Sequence, residues 1–281
     1  QDSGDEGDFY YTPPTGFKAM CTKNIATPDA IPSEHFNTKL YTGTGAVQAI
    51  TGVGFQPDLV WVEDRDSTDT HVLQDAVMMA QSSTADNVLY PGTNQEAADS
   101  GGGWISSFQT DGFYIAATGT HPLNRDTNDY VSWNWKAGNT TLGTGAFTQG
   151  SIASTCSRNT DLGFSIVSYT GTGSNGTVGH GLSQAPRMVM IKNRDADDSW
   201  FVYHFGGYHG SGPAYNYATS LDTNSTHVGG STHWNSTHPA ATVFSIGTHV
   251  GVNTSSEKYI AYCFHSVPNM TRVSTFRGNS L

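Results

Sequence analysis

Hydrophobic residues in this chain fall in short blocks separated by polar, glycine-rich stretches. Residues 36–41 (Phe-Asn-Thr-Lys-Leu-Tyr) and 164–169 (Phe-Ser-Ile-Val-Ser-Tyr) are rich in aromatic and β-branched side chains, the composition of strands. Each runs into Tyr-Thr-Gly-Thr-Gly, at 41–45 and 169–173, where glycine permits the turn. Pro57 and Pro186 open the apolar runs 59–62 and 188–191, which read as central, well buried strands. Proline is tolerated there because a first strand residue need not donate to a ladder. Segments 112–116 and 243–246 are further strands, and 130–135 and 259–264 close each set. One short helix is expected, over 76–81. No run of 18 apolar residues occurs, so membrane insertion is not expected.

These blocks repeat. Phe36 and the motif at 41–45 recur 128 residues later, while Gly52, Pro57, Arg65-Asp66 and Tyr130 recur 129 later as Gly181, Pro186, Arg194-Asp195 and Tyr259. A chain of 281 residues with 32 glycines and only 13% charged residues suits two β-rich domains better than helices. The expected fold is all-β, two tandem β-sandwich domains of the jelly-roll or lectin-like kind related by internal duplication. They would span residues 36–150 and 151–281, behind an extended N-terminal arm, 1–35.

Charge is uneven. Residues 1–150 carry 6 Lys and Arg against 18 Asp and Glu, a net −12, while 151–281 carry 7 against 6, a net +1. An acidic chain without basic runs repels phosphate backbones, so nucleic acid is excluded as a partner. The arm opens with an acidic stretch and then carries Phe9, Tyr10 and Tyr11. An aromatic patch outside the domains needs a home: an edge of its own first domain, or strand addition to a neighbouring copy. The first residue is Gln1 rather than Met, which reads as a mature end after removal of a leader. Of three cysteines, Cys263 sits in an apolar run and reads as a buried thiol. Cys21 and Cys156 lie in loop-like sequence ahead of each repeat and are the expected disulfide pair.

Catalytic signatures are absent: there is no phosphate loop, dinucleotide fingerprint, H-E-x-x-H or G-x-S-x-G, and Ser183 reads as a turn residue. No enzyme is expected. Acidic loops follow Arg65 and Arg194 and are of a kind that suits calcium, but their spacing matches no calcium-loop motif, so no metal or other cofactor is assigned. The eleven histidines are scattered without a metal-ligand spacing. Trp200, Tyr203, Tyr208 and Trp234 lie among flexible polar residues; they either fill a core or stack on sugar rings. Six sequons place acceptors for glycosylation at Asn139, Asn175, Asn224, Asn235, Asn253 and Asn269.

The succession Gly-Phe-Lys-Ala-Met-Cys-Thr-Lys-Asn at 16–24, Tyr-Thr-Gly-Thr-Gly, Gly-Phe-Gln-Pro-Asp-Leu-Val-Trp at 54–61, Tyr-Val-Ser-Trp-Asn-Trp-Lys-Ala-Gly at 130–138 and Val-Gly-His-Gly-Leu at 178–182 resembles a domain of unknown function. That domain recurs in virion and tail-fibre-like structural proteins of aquatic phages. The resemblance runs from about residue 16 to the C-terminus and implies an extracellular, cell-surface or virion-surface structural role. It carries no catalytic or binding residues. The expected function is therefore a fibre or filament subunit whose partner is itself, as a homo-oligomer. The other reading is a lectin-like adhesion module that takes surface glycans.

Overall fold

The structure, a computed structural model, describes residues 31–82, 87–98, 104–116, 119, 121–138, 141–142, 147, 149–207, 212–223, 228–229 and 231–276. The chain divides after Ile31. The larger unit, Pro32–Leu281, is all-β, and its named strands pair antiparallel throughout.

In the first half lie β1 (Phe36–Thr42), β2 (Gln48–Thr51), β3 (Leu59–Asp64), β4 (Val72–Asp75), helix α1 (Ala76–Gln81), β5 (Ile105–Gln109), β6 (Gly112–Ile115) and β7 (Asp129–Trp135). The second half holds β8 (Thr141–Leu142), β9 (Ser154–Asn159), β10 (Phe164–Thr170), β11 (Gly176–Gly179), β12 (Met188–Asn193) and β13 (Phe201–His204). It continues with β14 (Tyr217–Ser220), β15 (Val228–Gly229), α2 (Ser231–Trp234), β16 (Val243–Ile246), α3 (Val250–Asn253) and β17 (Lys258–Phe264). The strands expected from the hydrophobic blocks are present, and α1 covers the expected helix. Six residues make an unstable helix alone. Here Asp75 caps it, its Oδ1 accepting the Met78 N–H at 2.8 Å, and Val77 and Met78 are buried.

The two halves share one plan. The first has a sheet ordered β1-β7-β3-β4; the second has β10-β17-β12-β13 inside a longer sheet that adds β9 and β8 on one side and β14 and β15 on the other. Register is the same as well: Phe36 faces Trp135 and Tyr41 faces Tyr130, as Phe164 faces Phe264 and Tyr169 faces Tyr259. At the turn end of each sheet the contacts repeat one for one. Tyr41 stacks on Tyr130 with ring centres 4.9 Å apart, and Tyr169 on Tyr259 at 5.2 Å. The Tyr41 hydroxyl donates to the Leu123 carbonyl at 3.0 Å and that of Tyr169 to Val252 at 2.7 Å. Thr44 N–H donates to Asn124 Oδ1, as Thr172 N–H does to Asn253 Oδ1.

This packing explains the Gly-Thr-Gly motif. A Cβ on Gly43 would collide with the Arg125 carbonyl oxygen, and one on Gly171 with that of Thr254; Gly45 and Gly173 hold φ of +64° and +71°, backbone that favours glycine. The repeated Arg-Asp has a structural use too. Asp66 Oδ2 accepts the Asp129 N–H at 2.6 Å and Asp195 Oδ2 accepts the Lys258 N–H at 2.8 Å, tying each loop to the start of the closing strand.

Among the described residues three hydrophobic clusters form. In the first half Ile50, Phe113 and Ile115 of the β2-β6-β5 sheet meet Val60, Val62 and Tyr130. In the second, Val178, Phe244 and Ile246 meet Val167, Val189 and Ala261, with Trp234 and Val252 from α2 and α3. The third belongs to both halves: Leu59, Leu73, Val77 and Met78 pack with Phe164, Ile166, Ile260, Tyr262 and Trp200. Side chains alternate across a strand, so Val60 and Val62 face the first cluster while Leu59 faces the shared one. Both faces being covered, the strands read as nearly continuous apolar runs.

Candidate functional site: an open sheet edge

Among the described residues the halves differ at the β1 edge. In the second, β10 lies between β17 and β9, with Phe164 opposite Asn159 and Tyr169 opposite Ser154. Its counterpart β1 pairs with β7 on one side, and among the described residues no strand lies on the other. The Lys136 N–H bonds to the His35 carbonyl and the Gly43 N–H to that of Asn128. By the two-residue alternation, the N–H and C=O groups of Phe36, Thr38, Leu40 and Thr42 therefore point away from β7. Thr38 N–H turns back to its neighbour Asn37 Oδ1 at 2.9 Å. Leu40, at the middle of the edge, is 62% exposed. All seven β1 residues pair with β7 without a register shift.

Beside the start of β1, Phe36, Trp135, Leu162, Phe264 and Met270 line a groove rimmed by Arg272. Phe36 and Trp135 rings are 5.0 Å apart, Trp135 and Phe164 6.4 Å, and Phe164 and Phe264 4.9 Å, an aromatic row crossing from one half to the other. At the far end of β1 burial raises the Tyr41 hydroxyl pKa well above its ordinary range and pushes Tyr130 up to about 12. Both stay neutral and act as hydrogen-bonding groups.

The structure relocates several residues singled out in the sequence. Cys156 lies in β9 rather than a loop; it is a free, fully buried thiol, so the expected bridge to Cys21 does not form. Cys21 itself lies outside the described residues. Cys263 is a free, buried thiol as the apolar run implied. Burial pushes Cys156 up to about 12, which leaves it unreactive.

Sugar stacking finds no support at the tryptophans. Trp200 is completely buried in the shared cluster, its indole N–H donating to the Tyr90 carbonyl at 3.1 Å. Trp234 donates to the Tyr217 carbonyl at 2.8 Å and is buried against Tyr203. A covered ring presents no face to a ligand, so these three side chains are core; Tyr208 lies outside the described residues.

Among the sequons, Asn175 and Asn269 are exposed and Asn235 is half-buried. Asn253 is wholly buried, with Nδ2 donating to the Ser174 and Gly247 carbonyls, both at 2.6 Å, and is no glycan acceptor. Asn139, Asn224 and the arm aromatics Phe9, Tyr10 and Tyr11 fall outside the described residues.

Sequence reasoning missed the β1 edge. Its signal was available as a mismatch: a strand-forming segment precedes residue 164 at a four-residue spacing, whereas residue 36 is preceded by Pro-Ser-Glu-His, which forms a short 3-10 turn at Pro32–Glu34.

Fold and edge together define an all-β protein of two similar halves with a shared core. A family model described as a domain of unknown function (DUF7483) matches residues 31–281, and the chain belongs to that family. No curated protein matches the chain, and no solved structure does either.

Proposed function

We propose that this protein is a non-catalytic structural subunit that assembles with copies of itself through sheet-edge contacts, in a fibre or filament outside the cell or on a virion surface. One observation carries the reading: among the described residues no strand lies on the outer side of β1, where its counterpart β10 is covered by β9. An unpaired edge is a template for another strand. Such edges are usually guarded by proline, a bulge, brevity or a charged side chain; β1 is seven residues long, free of proline and evenly registered, with exposed Leu40 near its middle, and Lys39 is its one charged residue. The repeated contacts of the two halves support their origin by tandem duplication. The arm, with Phe9, Tyr10 and Tyr11, is the connector in this reading. The virion part rests on the sequence resemblance.

Leu40→Pro tests it. The Leu40 N–H points away from β7, so proline removes an edge donor while the β1–β7 ladder is kept. Sedimentation velocity and negative-stain microscopy over a concentration series should show polymers of the wild type and dispersed particles of Leu40→Pro. A wild type that remains monomeric at every concentration overturns the proposal.

A further inference from the structure

The two halves place side chains of opposite charge at one equivalent position. Asp58 and Arg187 stand 129 residues apart, directly before β3 and β12. Their backbones are set alike. The Asp58 N–H donates to the Trp135 carbonyl at 2.8 Å and the Arg187 N–H to that of Phe264 at 2.7 Å; Lys136 and His265, one residue further on, donate to His35 and Gly163, both at 2.9 Å. Then the halves part. In the first, the buried Asp58 carboxylate accepts the Ala137 N–H at 2.6 Å. In the second, Ser266 stands where Ala137 does, and Arg187 offers a guanidinium, which accepts nothing. The Ser266 N–H makes no hydrogen bond among the described residues. We propose that the second half takes from outside the carboxylate that the first half supplies itself, and that the ligand is an acidic sugar of the uronic acid class.

Arg187 and Ser266 line one cleft of about 640 Å³, with Arg272 in the same lining. That lining holds two arginines and no Asp or Glu, in a chain of net charge −11. Its charge is therefore set against that of the molecule. Arg187 is also held in place. Its guanidinium carbon lies 3.5 Å from the centre of the Phe205 ring, a cation–π contact, and the Phe205 N–H donates to the Arg187 carbonyl at 2.8 Å. No ion pair or side-chain hydrogen bond joins the guanidinium to another described residue. A guanidinium fork takes a carboxylate through two parallel bonds, and the Ser266 N–H adds a third donor, as the Ala137 N–H does for Asp58.

The rest of the cleft selects the class of ligand. Its volume exceeds what a carboxylate fills, and Gln184, Asn269 and Thr271 line the remainder, amide and hydroxyl groups of the kind that bond sugar hydroxyls. No aromatic side chain is in the lining, which argues against a flat apolar acid. One wall is preformed. Val267 and Thr271 exchange N–H···O bonds of 2.8 and 3.1 Å around the Pro268–Asn269 turn, where Asn269 holds φ of +63°, backbone that Asn adopts more readily than most residues. Ser266 Oγ accepts the Val273 N–H at 3.0 Å and closes the loop at its base. A wall already in place loses less freedom on binding. The inference goes beyond the assembly reading and does not depend on it.

The test uses the full chain, produced in a host that does not glycosylate asparagine so that Asn269 stays bare. Isothermal titration with sodium D-glucuronate and with sodium D-galacturonate should show one site for at least one of them. Glucose should not bind, and acetate should bind about tenfold more weakly than the better uronate, having the carboxylate without the hydroxyls. In amide NMR the same uronate should shift the Ser266 resonance. Arg187→Met should weaken binding about tenfold or more. Arg187→Asp restores the arrangement of the first half; it should fold, unfold in urea at no lower a midpoint than Arg187→Ala, and bind neither uronate. Absence of heat and of any amide shift with both uronates overturns the proposal. Glucose binding as tightly as the uronate overturns the carboxylate assignment, and acetate binding as tightly overturns the sugar assignment. Undiminished affinity in folded Arg187→Met or Arg187→Asp places the site elsewhere and overturns the proposal as well.

Discussion

The hydroxyl of Tyr262 donates to the Asp75 carboxylate across the junction of the two halves, 2.7 Å over 187 residues of sequence. The acceptor also caps α1, so one buried carboxylate fixes the helix and joins it to β17. Burial raises the Asp75 pKa, while the bonds from Met78 and Tyr262 oppose that shift. Tyr262→Phe leaves one carboxylate oxygen without this donor in a closed site. It should cost about 1.5–3 kcal/mol, measured by urea unfolding. Because the third cluster is built from both halves, wild type and variant should each unfold in one transition with the same slope. Separate transitions for the halves would contradict the shared core.

The tyrosine pairs provide an internal comparison. Tyr41→Phe and Tyr169→Phe each delete a hydroxyl that donates to a loop carbonyl, Leu123 or Val252. Each should lose about 1–2 kcal/mol. The two act in different clusters, so the double variant should lose the sum within about 0.5 kcal/mol. Marked non-additivity in urea denaturation would mean that the two turn ends communicate.

Much of this plan was legible before any coordinates. The two Tyr-Thr-Gly-Thr-Gly motifs mark the tyrosine pairs, and the blocks around them mark β1, β3, β7, β10, β12 and β17, because alternation and glycine requirements are local properties. Burial that depends on the other half was not legible. Trp200 follows Asp197, Asp198 and Ser199 and so looks exposed, yet it closes the junction. Cys156 stands among Ser, Thr, Arg and Asn, a loop-like composition. It lies in a strand because β9 is flanked by β8 and β10, and pairing partners are not written in the segment itself. That β1, unlike β10, has no second neighbour among the described residues was hidden for the same reason, since strand neighbours are not written in the segment itself.

Asn253 separates sequence motif from structure most sharply. Its side chain accepts the Thr172 N–H at 2.7 Å and donates to two carbonyls. Produced in a host that glycosylates asparagine, the protein should carry glycans at exposed Asn175 and Asn269 and none at Asn253, as read by mass spectrometry of tryptic peptides. Asn253→Ala should lower stability by about 2–4 kcal/mol, since several buried backbone groups lose their partner together. A glycan on Asn253 of folded protein would refute the packing of the second turn end.

Acid should weaken the fold through His180. Its Nδ1 accepts the Leu182 N–H at 3.1 Å, and its Nε2 stands 3.0 Å from the Ala240 carbonyl, which assigns the proton to Nε2. A second proton on Nδ1 would face the Leu182 N–H. Burial lowers the pKa to about 4; the Ala240 bond opposes the shift and nearby His265 adds to it. The unfolded chain takes up a proton near pH 6.5 that the folded chain refuses until about pH 4. The stability from this site is thus complete above pH 6.5 and declines as pH falls toward 4, by up to about 3 kcal/mol. His180→Asn should be less stable than wild type at pH 7 but should lose correspondingly less between pH 7 and 4.5, in thermal or urea midpoints. Equal losses in the two proteins would assign the acid sensitivity to other groups.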